Sequence, residues 1–446
     1  MNDRRETIVL CILTLALVAP LVAGCRLLPP HQAAFDAVRD LTGGLAVFPG
    51  AGGFGSTTRA GRGGDVIRVT NLSDAGAGSL RTALQREGAR IVVFEVGGTI
   101  ELDSAITIQQ PFLSLAGQTA PDPGITLKGS GIVISTHDVL VQHIRSRPGD
   151  GSVGTAPENR DGISVVGFPD ASADVYNVVV DHCSVSWAID EGVSTWYDGV
   201  RDVTFSNNII AENLSESLHP KGEHSKGLLI GDHSRRISVI GNLFAHNMRR
   251  NPLLKGDTSS FVANNVIYNP GTEAIGFSDP EWSGRSIATI VDNVFIPGPD
   301  TAGSEFVWRG TGTSSDIEIF LEGNTVRDGT VTGFVAPPQV AGVLVSSAPV
   351  WVEPFEPVAV SELEGVVLSG AGALPASRDS VDERIVRSVQ NGTGAIIDSQ
   401  NDVGGHPAHA PTSAPLSIPE EPHGDDDADG YSNIEEWLHS LAAGLE

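Results

Sequence analysis

Between Asp181 and Lys255 the charged residues fall in clusters. Asp181-His182 closes one short apolar run, and Asp190-Glu191 follow nine residues later. Then come His219-Pro-Lys221-Gly-Glu-His224-Ser-Lys226 and Arg249-Arg250-Asn-Pro-Leu-Leu-Lys255. The whole chain holds four Lys, and Lys221, Lys226 and Lys255 are three of them. Carboxylates bind a hard divalent cation, and neighbouring Lys and Arg bind an anion. The two together suit a reaction that removes a proton beside a carboxylate, because metal and cations stabilise the enolate-like intermediate. Asp181 has a plainer reading as a turn cap. His219 and His224 match no standard zinc spacing, which leaves structural or substrate-contact roles.

These groups need a scaffold that stacks them. From Phe35 to about Val335 the chain is a series of short β-branched runs punctuated by Gly, Asn, Asp and Pro. The runs starting at Val178, Val203, Ile237, Phe261 and Ile290 share one form: alternating apolar residues, a small or Asn turn, then apolar residues again. Spacing that irregular but recurrent is the mark of a solenoid with variable loops. Ten of the eighteen Asn lie between Asn207 and Asn293, mostly at these turns. Asn tolerates left-handed backbone, and stacked Asn amides can pair in a ladder. An all-β, right-handed parallel β-helix over 35–335 satisfies this pattern. Residues one turn apart then stack within roughly 5 Å, so carboxylates, Lys226, Arg250 and Lys255 are expected on one patch.

A C-terminal wrap is expected over 336–403, with a helix at Asp379–Gln390 that puts Val381, Ile385 and Val389 on one face and stops at Gly392. A second short helix is expected at Ser79–Arg86, and Phe35–Arg39 could cap one end of the solenoid. Residues 404–422 read as a linker. In the tail (423–446), Asp425, Asp427, Asp429, Tyr431 (through its carbonyl), Asn433 and Glu436 fall at the ligand positions of an EF-hand-type loop, with Gly430 at the sharp turn. The expectation is a calcium-stapled loop followed by a helix; the plainer reading is a solvated acidic tail.

The 446 residues carry 28 Lys plus Arg against 55 Asp plus Glu, a formal charge of −27, which speaks against nucleic-acid binding. Arg4 and Arg5 precede an apolar run to Ala23, and Val22-Ala23-Gly24-Cys25 follows. This has the form of an export signal (1–25) ending in a lipobox-like site for lipidation at Cys25, with an uncleaved membrane anchor as the alternative. Localisation is then secreted, periplasmic or cell-surface, with membrane contact through lipid only. Cys11 leaves with the signal, and Cys183 is a buried structural thiol. A monomer is expected.

The stretch from Phe48-Pro-Gly-Ala-Gly-Gly-Phe-Gly to Asp402-Val-Gly-Gly resembles the pectate lyases of polysaccharide lyase family one. The resemblance is carried by Val69-Thr-Asn-Leu-Ser-Asp-Ala-Gly-Ala-Gly-Ser-Leu-Arg, Ile91-Val-Val-Phe-Glu-Val-Gly-Gly-Thr-Ile, Leu115-Ala-Gly-Gln-Thr-Ala-Pro and Asp181-His-Cys-Ser-Val-Ser-Trp. It implies a parallel β-helix and calcium-dependent β-elimination of polygalacturonate. Asp181 matches a calcium ligand, and Glu191 or Asp190 the next one. The family's further Asp is Thr195 in this chain. Lys226 resembles the substrate-binding Lys, and Arg250-Asn-Pro-Leu-Leu-Lys255 the family's Arg-x-Pro-x-x-Arg, whose first Arg is the proposed base. Guanidinium holds its proton tightly, so Lys226 is a rival base. A lyase on another uronan such as alginate, and a non-catalytic glycan-binding β-helix, are the alternatives.

Overall fold

The structure, a computed structural model, describes residues 44–168, 174–278, 284–302, 306–309, 316–327 and 343–445. The chain divides into two compact units, Met1–Leu45 and Ala46–Glu446, and every element named below belongs to the second. The signal segment, Cys11, Cys25, the Phe35–Arg39 cap and the boundary near residue 335 lie outside the described residues. Among the described residues no helix is long and apolar enough to cross a membrane.

The β-branched runs become strands of a parallel β-helix, as expected. The chain passes from one sheet to the next and returns one rung along. Sequence-separated strands such as Val175–Asp181, Val200–Ser206 and Arg235–Ile240 therefore lie side by side. Three sheets of ten, eight and ten strands result among the described residues, called here the first, second and third. Parallel register stacks like on like: Val178 sits beside Val203 and Val180 beside Phe205, with Ile237 and Val239 on the next rung. These side chains fill the interior as one apolar cluster with near-zero exposure. At roughly 25 cal/mol per Å² of apolar area, that burial is the dominant favourable term.

Asn does what its spacing implies. Where the chain leaves the first sheet, Asn207, Asn264 and Asp292 take positive φ near 54°. The next residue on each rung is a ladder Asn. Asn208 bonds Asn242, Asn242 bonds Asn265, Asn265 bonds Asn293 and Asn293 bonds Asn324, all at 2.9–3.0 Å. Each amide also bonds backbone, so no polar group in the turn is left bare. A second, shorter ladder joins Asn213, Asn247 and Asn251 beside the corner described below.

The helix Ser380–Asn391 forms with Asp379 as N-cap and Gly392 as a left-handed C-cap. Val381, Ile385 and Val389 pack on the flank of the third sheet. A buried ionic knot fixes it, with Arg147 reaching Asp379 and Asp382, and Ser184 also bonding Asp382. Leu80–Leu84 is helical behind its Ser79 cap. The helix Val360–Gly370 was not foreseen: it has no side-chain cap, and its stretch reads as Ala/Pro/Val-rich coil. Thr412–Ser413, within the stretch read as a linker, adds an antiparallel edge to Val96–Gly97.

Asn265→Ala removes one ladder step and strands the groups on both sides. We expect a loss on the order of 2–3 kcal/mol, read as a lower melting temperature than for Asn391→Ala at an exposed helix end.

Candidate active site

The second sheet begins at a corner where every rung contributes a charged residue. Ile163 pairs with Val193, which places Asp161 opposite Glu191. Glu191 pairs directly with Lys226, and Lys226 bridges to Arg249. Asn251 donates its N–H to the Ala274 carbonyl, which sets Arg250 opposite Glu273. The corner is therefore a charge ladder in the order acid, acid, cation, cation, acid. The core residues Ile163, Val193, Leu228 and Ile275 lie two positions further along each strand, so sheet pairing and burial fix the register.

Asp161, Asp190 and Glu191 each offer a carboxylate oxygen within 4.8 Å of the others. The Asp161 carboxylate accepts from the Ser164 hydroxyl at 2.7 Å and from the Glu191 N–H at 3.2 Å. Burial, then repulsion from Asp190, pushes Asp161 up to about 6. Burial pushes Glu191 up as well, against the pull of Arg250, which is ion-paired to it. Asp190 goes the other way: burial would raise it, but His224, His219 and Arg250 hold it below the usual carboxylate range. Three crowded oxygen donors, two of them held against their ionised forms, suit a hard divalent cation.

The His pair stands on Asp190. His224 Nε2 lies 3.2 Å and His219 Nε2 3.7 Å from Asp190 Oδ1. His219 Nδ1 accepts the Lys221 N–H at 3.1 Å, so the neutral ring carries its proton on Nε2, towards Asp190. That protonation disfavours His219 as a zinc ligand through Nε2. The rings lie beside the carboxylate and fix its direction.

On the cationic rungs Lys226 is 3% exposed. Burial, then the Arg249 and Arg250 guanidinium groups, pushes its ammonium down to about 7. A lysine neutral near physiological pH, next to a carboxylate cluster, can take a proton.

Not every expected residue reaches this corner. Asp181 lies at the end of a first-sheet strand, a different corner, and its carboxylate is engaged by Gln142, His182, Ser206 and Asn207. Asp161 stands at this corner instead, with Asp190 and Glu191. It was missed because Asp161-Gly162 before an apolar run reads as an ordinary turn. Thr195 is paired in register with the core residues Val165 and Ile230, which sets it along the strand with the core positions and away from the carboxylates of the corner. Lys255 follows the far end of its strand, about 16 Å along the sheet by strand rise. It pairs there with Asp232 at 2.6 Å and lies over the Trp196 ring. Cys183 is buried, and burial pushes its thiol up to about 12. Trp187 is fully buried.

In the tail, Asp425, Asp427 and Asp429 again bring oxygens within 4.8 Å of one another. Gly430 turns at φ 99° and its N–H reaches Asp425. Asn433 Oδ1 accepts the Asp426 N–H and starts the helix Asn433–Ala443. Repulsion from the neighbouring Asp residues adds to burial in raising Glu436. Ile434 and Leu438 pack on Ile91, Val93 and Ala116, and Arg62 pairs with Glu435 at 2.8 Å.

Comparison with known proteins gives a consistent picture. No protein-family model matches the chain. It is 35% identical over 429 residues to "Probable pectate lyase C" of Aspergillus flavus, covering 90% of this chain and 95% of that protein. It is 34% identical over 425 residues to the protein of the same name from Aspergillus fumigatus, covering 89% and 94%. Among solved structures, the cedar-pollen allergen jun a 1 superposes with a TM-score of 0.56 at 19% identity, covering 72% of this chain and 92% of that one. A pectate lyase studied for its anti β-elimination mechanism superposes at 0.53 and 15%, covering 74% and 98%. At these identities the structures speak to fold alone.

With four Lys in the chain, carbon NMR of the side-chain ε positions can follow Lys226 individually. We expect its titration midpoint near 7; a midpoint near 10.5 contradicts the geometry of the corner.

Proposed function

The chain belongs to the pectate lyase family and is a polysaccharide lyase, and from that premise we propose that it cleaves polygalacturonate by calcium-assisted β-elimination at the charge ladder. The observation that carries the reading is Lys226, driven towards its neutral form one rung from a carboxylate trio. Asp161, Asp190 and Glu191 would hold the calcium, since oxygen donors crowded against their own repulsion fit a hard dication. A calcium ion held there would neutralise the uronate carboxylate and so acidify the proton on C5.

This chain's own residues do the rest. Arg250 and Arg249 hold the substrate carboxylate and steady the enolate-like charge as it grows. Neutral Lys226 Nζ takes the C5 proton. The C4–O4 bond then breaks, leaving a C4=C5 double bond at the new non-reducing end. Arg250 remains the alternative base, but its pairing with Glu191 and its tightly held proton favour a binding role. His219 and His224 act by holding Asp190. Lys255 and Trp196 lie far enough along the sheet to meet a distant sugar unit.

The tail loop (Asp425, Asp427, Asp429, Tyr431, Asn433, Glu436) takes a second calcium whose role is to pin the C-terminal helix to the first sheet. An exported, lipid-anchored enzyme with its anchor at Cys25 is supported by Arg4, Arg5 and the apolar run that follows. It works outside the cytoplasm as a monomer and meets membrane through lipid alone.

The test is absorbance of unsaturated product from polygalacturonate, with alginate as the second substrate. Product should form with calcium, stop with chelator, and be abolished in Arg250→Ala; full activity in that variant overturns its role. Because the base must be deprotonated, kcat/KM should rise with pH through a midpoint at or below about 7, since a bound dication pushes Lys226 in the same direction. Lys226→Arg, which keeps the charge and holds the proton, should lose on the order of a hundredfold in kcat. Asp427→Ala should lose the tail loop's share of the gain in melting temperature that calcium confers while keeping its kcat.

A further inference from the structure

One charged residue of the corner has no part in the chemistry so far. Glu273 closes the ladder, one rung beyond Arg250, and is 8% exposed. Its backbone is fixed on both sides: the Asn251 amide donates to the Glu273 carbonyl, and the Asn251 N–H to the Ala274 carbonyl. On the strand Ile275–Phe277, Ile275 and Phe277 face the core, so Gly276 faces outwards. A methyl carbon built on Gly276 would sit 3.4 Å from both Cδ and Oε1 of Glu273. The carboxyl group therefore lies on the outer face of the second sheet, within contact of position 276, where a side chain would meet Leu253 first, at 2.8 Å.

Elimination needs more than a base. The glycosidic oxygen that leaves C4 departs as an alkoxide unless something protonates it, and a positioned acid is worth typically 10²–10⁴ in rate. In a galacturonate ring the C5 hydrogen and O4 point to opposite faces, so the acid must stand across the ring from the base. Lys226 and Glu273 are separated by two rungs, about 9–10 Å. That is comparable to the spacing at which paired groups flank a sugar in inverting glycosidases.

We propose that Glu273 is the catalytic acid that protonates the leaving O4, a role resting on the lyase reading above. The balance is simple. The C5–H pair becomes the C4=C5 π bond while the proton goes to Lys226 Nζ. The C4–O4 pair leaves with oxygen, and the Glu273 carboxyl proton forms the new O–H bond. Lys226 ends as ammonium and Glu273 as carboxylate, and solvent returns both to their starting forms. The groups facing Glu273 are Lys226, Arg249 and Arg250, all of which favour its carboxylate, yet burial outweighs them and raises its pKa. The same three cations stabilise the carboxylate once the proton has gone.

The experiment compares two leaving groups in wild type and Glu273→Gln. One substrate is oligogalacturonate. The other carries fluoride on C4 of its terminal unit, which leaves as fluoride and needs no proton. The expected result is a fall on the order of a hundredfold in kcat for the oligosaccharide, with KM and the rate on the fluoride substrate kept near wild type. Equal loss on both substrates means that Glu273 only supports the site, and loss on neither means that it is idle. Either result overturns the proposal. A wild-type enzyme that forms no unsaturated product from either substrate overturns the lyase reading and this inference with it. That outcome is distinct because the variant need not be consulted.

Discussion

Everything in this molecule follows from one spacing. Parallel strands stack at about 4.8 Å, and a β-helix repeats that contact at every rung, so whatever one turn carries must tolerate the same kind of residue above and below it. Apolar side chains meet this by packing, as Val178, Val203 and Ile237 do in the core. Asn meets it by pairing amide to amide along the turn. Charge meets it least easily. Two carboxylates at 5 Å repel by roughly 3 kcal/mol at an effective dielectric of about 20. Asp161 beside Glu191, with Asp190 against both, is therefore a costly arrangement that a divalent cation would relieve.

The same constraint explains the opposite half of the ladder. Lys226 stacks against arginines on the next rung, so burial and like charge together favour its neutral form. A rigid corner thus sets a carboxylate end and a cationic end side by side. The wrap supports it from behind. Asp398, on the chain that follows the helix Ser380–Asn391, accepts the Glu216 N–H, and Ser215 donates its N–H to the Ile397 carbonyl. These bonds hold the loop that carries His219 and His224.

The periodic features were legible in the chain and the irregular ones were not. Asn at recurring turns, the Asp379-to-Gly392 helix signals and the clustering of Lys each have a local cause, so they can be read without coordinates. Which residues share a corner depends on loop length, and here successive rungs of the second sheet are separated by 30 residues (Ile163 to Val193) and then by 35 (Val193 to Leu228). That variation hid Asp161 and Glu273 among ordinary Asp-Gly and Thr-Glu dipeptides. It also set Asp181-His182, adjacent in sequence to the second-sheet residues, at a different corner. Lys255 shows the same effect: near Lys226 in sequence, it stands a strand's length away. The helix Val360–Gly370 escaped because it has no side-chain cap to announce it, although Val360, Leu363 and Val367 recur at helical spacing.

The claim that the Asp161 corner is the metal centre can be tested by calorimetric titration of calcium into the full chain. Wild type should show two sites, one at the ladder and one in the tail loop, and Asp161→Asn should retain only the tail site. A variant that still binds calcium twice, with wild-type affinities, would contradict the account.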